Sequence, residues 1–329
     1  MTLQEILENL PKVKANRNYW FVRTSSGDYY ESFVKGNFIA IGWNSITLEE
    51  IANGNTGNDT GIQILKEIVK RKFPEEQRPG HTAKQLLKFA YSIKKNDIVL
   101  IPSENSEYIT FGEVKESPSY NSLDSKGGCL FAKRKKVKWL NTISRNKLDP
   151  NLYRLMFSHH TISEADEYAA HIDKEISSFF IKGDRAHMVL EVQTSDQIKA
   201  KDLFQLGLLP LDIFDEFCAE ENLEYNSDDF NVKLDVQSPG FIEISGLAIG
   251  GIVLLGIILI AVAGGGFDIK YKDDLTVGLK SDGIIEKVRR FLKTKNNIRT
   301  KKELLEKHMK DLNIKDPKEL IDILKQLDK

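Results

Sequence analysis

A chain of 329 residues has room for about two domains, and its 41% apolar content can build real cores, which excludes a disordered chain. Its net charge of −1 points to no partner class, and its two cysteines, Cys129 and Cys218, exclude both a disulfide framework and a cysteine zinc site. Two isolated cysteines suit a reducing compartment.

The distribution of charge says more than its total. Residues 1–150 carry a surplus of +6, residues 151–267 a deficit of −12, and residues 268–329 a surplus of +5. Basic ends flanking an acidic middle fit segments with different tasks. The N-terminus is polar, with no signal-peptide apolar region.

Residues 3–10 (LQEILENL) read as a short amphipathic helix, and residues 19–23 (YWFVR) as a strand. Residues 29–34 (YYESFV) form an aromatic helix or turn, and residues 38–43 (FIAIGW) a second strand rich in β-branched and aromatic residues. Ile62, Leu65, Ile68 and Val69 mark a helix ended by Pro74. Leu86, Phe89, Ala90 and Ile93 share the face of a second helix. Strands follow at residues 98–102, 108–114 and 133–140. Five strands with two helices inserted after the second predict a small β-barrel.

The stretches Tyr19-Trp20-Phe21-Val22-Arg23, Phe38-Ile39-Ala40-Ile41-Gly42-Trp43, Asn96-Asp97-Ile98-Val99-Leu100, Phe111-Gly112-Glu113-Val114 and Val137-Lys138-Trp139-Leu140 occur in the order found in EVE-like domains of the PUA-like superfamily. The resemblance covers residues 17–160. It is strongest to the version fused to the N-termini of Mrr-type and related modification-dependent restriction endonucleases. Asn96 stands where that family usually has Gly, and the His of its closing His-x-Arg-x-Val-x-Trp pattern is Lys133 here. The resemblance implies a reader of a flipped, often modified base. A base taken from the stack needs an aromatic wall and a few hydrogen-bonding groups. Trp20, Tyr30, Phe33 and Trp43 are the candidate wall, and Arg23 the candidate partner for a base edge or phosphate. The basic run Lys133, Arg134, Lys135, Lys136 and Lys138 is the candidate phosphate footprint. On a strand, Lys136 and Lys138 share one face, and Val137 and Trp139 the other. The bland alternative is an edge strand guarded by lysines.

Beyond residue 160, Thr161 and Glu164 have capping-box spacing and predict a helix through Ala169. His159, His160 and His171, with Asp166 and Glu167, lack any recognised metal-ligand spacing, so no metal and no cofactor is expected. Residues 179–181 and 186–194 predict a hairpin, residues 202–221 a helix broken at Pro210, and residues 230–236 a strand. For a nuclease, Asp184 and Glu191 could supply carboxylates, but Gln193 stands where a metal-dependent nuclease would need Lys.

Residues 247–267 (LAIGGIVLLGIILIAVAGGGF) pass without a charged, amide or hydroxyl side chain, which is the length a membrane-spanning helix needs. Gly246 with Gly250, and Ala261 with Gly265, form small-xxx-small pairs that let two helices approach closely in lipid. The alternative is a buried core segment. After it, Lys287, Arg289 and Arg290 lie on one face of a basic helix able to rest on anionic headgroups, and two more amphipathic helices follow near residues 301–312 and 317–327.

The sequence thus predicts an α+β chain. A PUA/EVE-like barrel with inserted helices (1–160) precedes an α+β module (161–246), a hydrophobic, transmembrane segment (247–267) and a basic helical tail (268–329). The leading expectation is a non-enzymatic sensor–effector of prokaryotic anti-phage defence. It would bind nucleic acid or a modified nucleotide, act at the inner membrane with its large N-terminal part cytoplasmic, and self-associate as a homo-oligomer. The alternatives are a diverged modification-dependent nuclease with the apolar stretch buried, and a membrane-tethered scaffold.

Overall fold

A computed structural model describes residues 1–14, 16–56, 59–116, 120–121, 128–194, 197–235, 240–263, 283–315 and 317–327. The chain divides into two compact units: Asn16–Ile176, and Met1–Ala15 joined with Ser177–Lys329. The chain opens in the second of these, with α1 (Leu3–Glu8) and β1 (Lys12–Val13). Thr2 and Glu5 close a capping box on α1, each side chain accepting from the other's backbone N–H.

The unit Asn16–Ile176 contains β2 (Tyr19–Val22), α2 (Tyr30–Gly36), β3 (Phe38–Ile41), α3 (Leu48–Asn53), α4 (Asp59–Lys72), α5 (Pro79–Leu87), β4 (Ile98–Pro102), β5 (Tyr108–Val114), β6 (Tyr120–Asn121), β7 (Lys133–Ser144), α6 (Tyr153–Met156), β8 (Ile162–Glu164) and α7 (Ala169–Ile176). Its sheet runs β3-β7-β5-β4-β2-β8, with β6 also on β7 and only β2 and β4 parallel. The expected small barrel is therefore half a barrel, open between β3 and β8. Both faces of β2 are buried: Trp20 and Val22 enter one core, Tyr19 and Phe21 another. That explains its unbroken apolar run. At the β5–β7 bulge Gly112 is needed for space, because a Cβ there would lie 2.4 Å from Val137 and 2.5 Å from Trp139. The helix expected from Thr161 is absent; Ile162–Glu164 instead pairs with β2 as a strand.

The other unit continues with β9 (Phe179–Lys182), β10 (Arg185–Val192), α8 (Ala200–Glu221), β11 (Asn231–Asp235), β12 (Gly240–Gly246), α9 (Ile249–Ala263), α10 (Ile284–Thr294), α11 (Asn296–Asp311) and α12 (Lys318–Leu327). Its sheet runs β1-β9-β10-β12-β11. Helix α8 passes Pro210 without a break, because Leu206, Leu209, Ile213 and Phe214 anchor both flanks in the core.

Helix α9 corrects the transmembrane expectation. It has 15 residues, about 22 Å at ~1.5 Å per residue, against a hydrocarbon core of about 30 Å. Among the described residues no helix is long and apolar enough to cross a membrane. Helices α1, α8, α10, α11 and α12, with β10 and β12, pack around α9, so it is apolar all round because protein surrounds it. The small residues seat neighbours from the same chain. A Cβ on Gly250 would lie 2.2 Å from Tyr225 Oη, and one on Gly246 would lie 3.2 Å from the Asp229 carbonyl oxygen. Ala261 is half-buried in α9, and Gly265 lies outside the described residues.

The same unit pairs the acidic middle with the basic tail. Lys287 bonds Glu221, Lys295 bonds Glu220, and Lys301 bonds Glu216 at 2.7 Å and Asp212 at 3.4 Å. Each exposed pair contributes little, about 0–1 kcal/mol, but together they align α10 and α11 on α8.

Candidate functional site

Trp20 is a core residue: its Nε1–H donates to Asp97 Oδ2 at 2.8 Å. The Asp97 carboxylate also accepts from the backbone N–H groups of Asn18 (3.1 Å) and Lys94 (2.8 Å), which explains an Asp at the head of β4. Asn96 before it sits at φ +72°, a left-handed conformation open to Gly and tolerated by Asn. Phe33 is fully buried, and the Tyr30 hydroxyl hydrogen-bonds Thr110 Oγ1 at 2.6 Å. Trp43 is half-buried at φ +53°, an uncommon backbone state for so large a side chain. Its ring packs on the same core as Trp20 and Phe33. Arg23 faces away, donating to the carbonyls of Met156 and Ser158.

Most of the basic run points inward. Lys133 Nζ donates to the carbonyls of Trp43 (2.9 Å) and Ile46 (3.1 Å), Arg134 to those of Phe131 and Cys129, and Lys135 to that of Ala90. All three are buried; this end of β7 pairs with β3 on one side and, at Lys133 and Arg134, with β6 on the other, so it is not an edge. Only Lys136 and Lys138 are exposed, and Lys136 pairs with Glu116 at 2.9 Å.

Burial pushes the Lys133 and Lys135 ammonium groups down to about 8. Their unfolded value is about 10.4. Between these values the unfolded chain holds more protons, so both groups make stability rise with pH over that window. Lys135→Met is expected to remove that residue's share of the rise, because the variant carries no ammonium to neutralise. Denaturant unfolding of both proteins at pH 7, 9 and 10 checks it.

A cavity of about 680 Å³ lies elsewhere in the unit. Helix α5 and the turn after it supply His81, Lys84, Gln85 and Lys88; α6 and its following loop supply Arg154, Ser158 and His160; β8 and the next turn supply Ser163, Glu164, Glu167 and Tyr168. The rings of His81 and His160 pack with centroids 4.7 Å apart. Burial, then the neighbouring His160, hold the His81 imidazole below its ordinary value. Lys88 bonds Glu164 at 2.8 Å, and its Nζ lies 5.8 Å from the Trp20 ring centroid. Gln85 accepts from the Ile162 N–H at 2.6 Å, and Arg23 fixes the 156–158 wall from behind. With Lys84 and Arg154 exposed against Glu167, and Lys88 paired with Glu164, the cavity lining has a small cationic surplus that suits an anionic group.

Of these groups the sequence singled out Trp20, Arg23, His160, Glu164 and Glu167, Glu164 only as a helix cap. His171 lies apart from them, bonded to buried Asp149 at 2.5 Å, and His159 does not line the cavity. Lys84 and Arg154 carried no local signal, being brought together only by the tertiary fold.

A family model described as a domain of unknown function (DUF8426) matches residues 20–166, close to the bounds of this unit. No curated protein and no solved structure matches the chain.

Proposed function

We propose that the unit Asn16–Ile176 binds nucleic acid or a modified nucleotide, with a phosphate of the ligand in the cavity between α5, α6 and β8. The cavity carries the reading. Its volume is that of a small-molecule site, and Lys84, Arg154, His81 and His160 line it beside Glu167 and the Lys88–Glu164 pair. The EVE-like resemblance supports the same ligand class and extends it to a non-enzymatic sensor in defence against foreign DNA. No effector step is assigned to residues 249–263, which serve a core. The nuclease alternative needs Asp184 and Glu191 to meet, yet β10 extends between them and holds them about 20 Å apart.

The test is titration of the full chain with labelled single-stranded and duplex DNA and RNA, with and without modified bases, over a range of salt. Affinity is expected to fall as salt rises, and Arg154→Ala and Lys84→Ala each to reduce the salt slope by about one. Binding is also expected to strengthen as pH falls below the ordinary imidazole value of about 6.5, because His81 is neutral above it and gains charge only in acid. Salt-independent binding, or variants that bind as the parent does, would sink the reading.

A further inference from the structure

We propose that the outer face of α8 is the self-association surface of this chain, taking α8 of a second copy in antiparallel register about a two-fold axis. The contact does not rest on the ligand assigned to Asn16–Ile176. Leu206, Leu209, Ile213 and Phe214 turn one side of α8 into the core. Phe204 and Leu208, one turn apart, lie on the other side and are 64% and 59% exposed. Leu211 is half-buried and carries the stripe on by a further turn. A single exposed leucine is ordinary, but large apolar side chains gathered on one helix face mark a contact surface. Gly207 lies beside them, and a Cβ there would meet nothing within 4 Å, so the backbone leaves an open notch for a partner's ring.

Charge selects a second copy as the occupant. With 3.6 residues per turn, Lys201 and Asp212 fall on the same flank of the Phe204–Leu208 stripe. In an antiparallel helix pair like flanks meet. A two-fold axis level with position 206 therefore sets Phe204 of each copy against Leu208 of the other, and Lys201 of each beside Asp212 of the other. Lys201 is exposed, with no ion pair among the described residues. Lys301 lies 3.4 Å from Asp212 but 2.7 Å from Glu216, and the Asp212 side chain stays 55% exposed. A parallel pair would instead set Lys201 against Lys201 and Asp212 against Asp212, which repel.

One helix face is at the small end of specific interfaces, so the dimer is expected to be reversible, with a Kd on the order of micromolar. The self-association that the sequence placed at Gly246 and Gly250 thus moves to α8, because both glycines already seat neighbours from their own chain.

The experiment is sedimentation equilibrium of the full chain across the micromolar range, with each variant checked for folding by circular dichroism. A concentration-dependent monomer–dimer equilibrium is expected. Phe204→Ser and Leu208→Ser, at exposed positions the fold tolerates, are each expected to weaken it about 10-fold or more. Lys201→Glu and Asp212→Lys are each expected to weaken it about 5-fold, because each sets two like-charge contacts in its own dimer. An equal mixture of those two variants restores opposite charges at both contacts and is expected to associate as the parent does. A monomer throughout the range, a dimer indifferent to Phe204→Ser and Leu208→Ser, or a mixture that associates no better than either charge variant alone would overturn the surface.

Discussion

Ile258→Asp is expected to unfold the C-terminal unit and leave Asn16–Ile176 folded. Ile258 has no exposed surface at the middle of α9, with neighbours on every side. Its replacement removes a buried side chain, about 2–5 kcal/mol with its cavity, and adds an unpaired buried carboxylate. The sum exceeds the ~4–5 kcal/mol that marks exceptional single substitutions and approaches the whole stability of a domain, ~5–15 kcal/mol. The loss should stay local because, among the described residues, each hydrophobic core is built from one unit's own residues. Hydrogen exchange read by mass spectrometry checks it: protection should vanish across β9–β12 and α8–α12 and persist in β2, β4 and β5. Protection lost throughout, or kept around α9, would contradict this reading of the core. A membrane span predicts something else, failed insertion with the cores intact.

The residues of α9 were legible as a helix but not as a core helix. An all-round apolar stretch is satisfied equally by lipid or by a cage of protein, and hydropathy alone does not separate them. The cage was written elsewhere. The acidic deficit of residues 151–267 and the basic surplus after residue 268 face each other through Glu216, Glu220 and Glu221 against Lys301, Lys295 and Lys287. Read as one complementary pair, they would have placed the tail on α8 rather than on headgroups. Along β7, alternation located Lys136 and Lys138 outside and Val137 inside. It also puts Lys133 and Lys135 on the inward face of Val137, and it failed at Arg134, which shares the face of Lys136 yet is buried, because strand period reports which face a residue shares, not whether that face is covered. Over Arg134 the cover is the segment 129–131, whose Cys129 and Phe131 carbonyls accept from the guanidinium. The cavity was least legible, since its walls come from helices and loops some 70 positions apart that share no period.

Asp97→Ala is expected to cost the N-terminal unit about 3–5 kcal/mol, and Asp97→Asn about half as much. The carboxylate gathers three donors: the backbone N–H groups of Asn18 and Lys94 and the Trp20 indole. It is also the nearby negative charge that favours the buried Lys135 ammonium. Alanine leaves all three donors without an acceptor. Asparagine keeps one oxygen but turns an NH₂ group toward donors, so part of the network survives. Denaturant unfolding orders the three proteins. Trp20→Phe then separates anchoring from recognition: it removes one donor, leaves Asp97 with its two backbone partners, and should cost only about 1 kcal/mol. If the Trp20 ring serves only the core, nucleic-acid affinity should survive Trp20→Phe while Arg154→Ala weakens it. If affinity falls with the fold intact, the ring reaches the ligand from beneath Lys88, and the aromatic wall expected from the sequence opens onto the cavity.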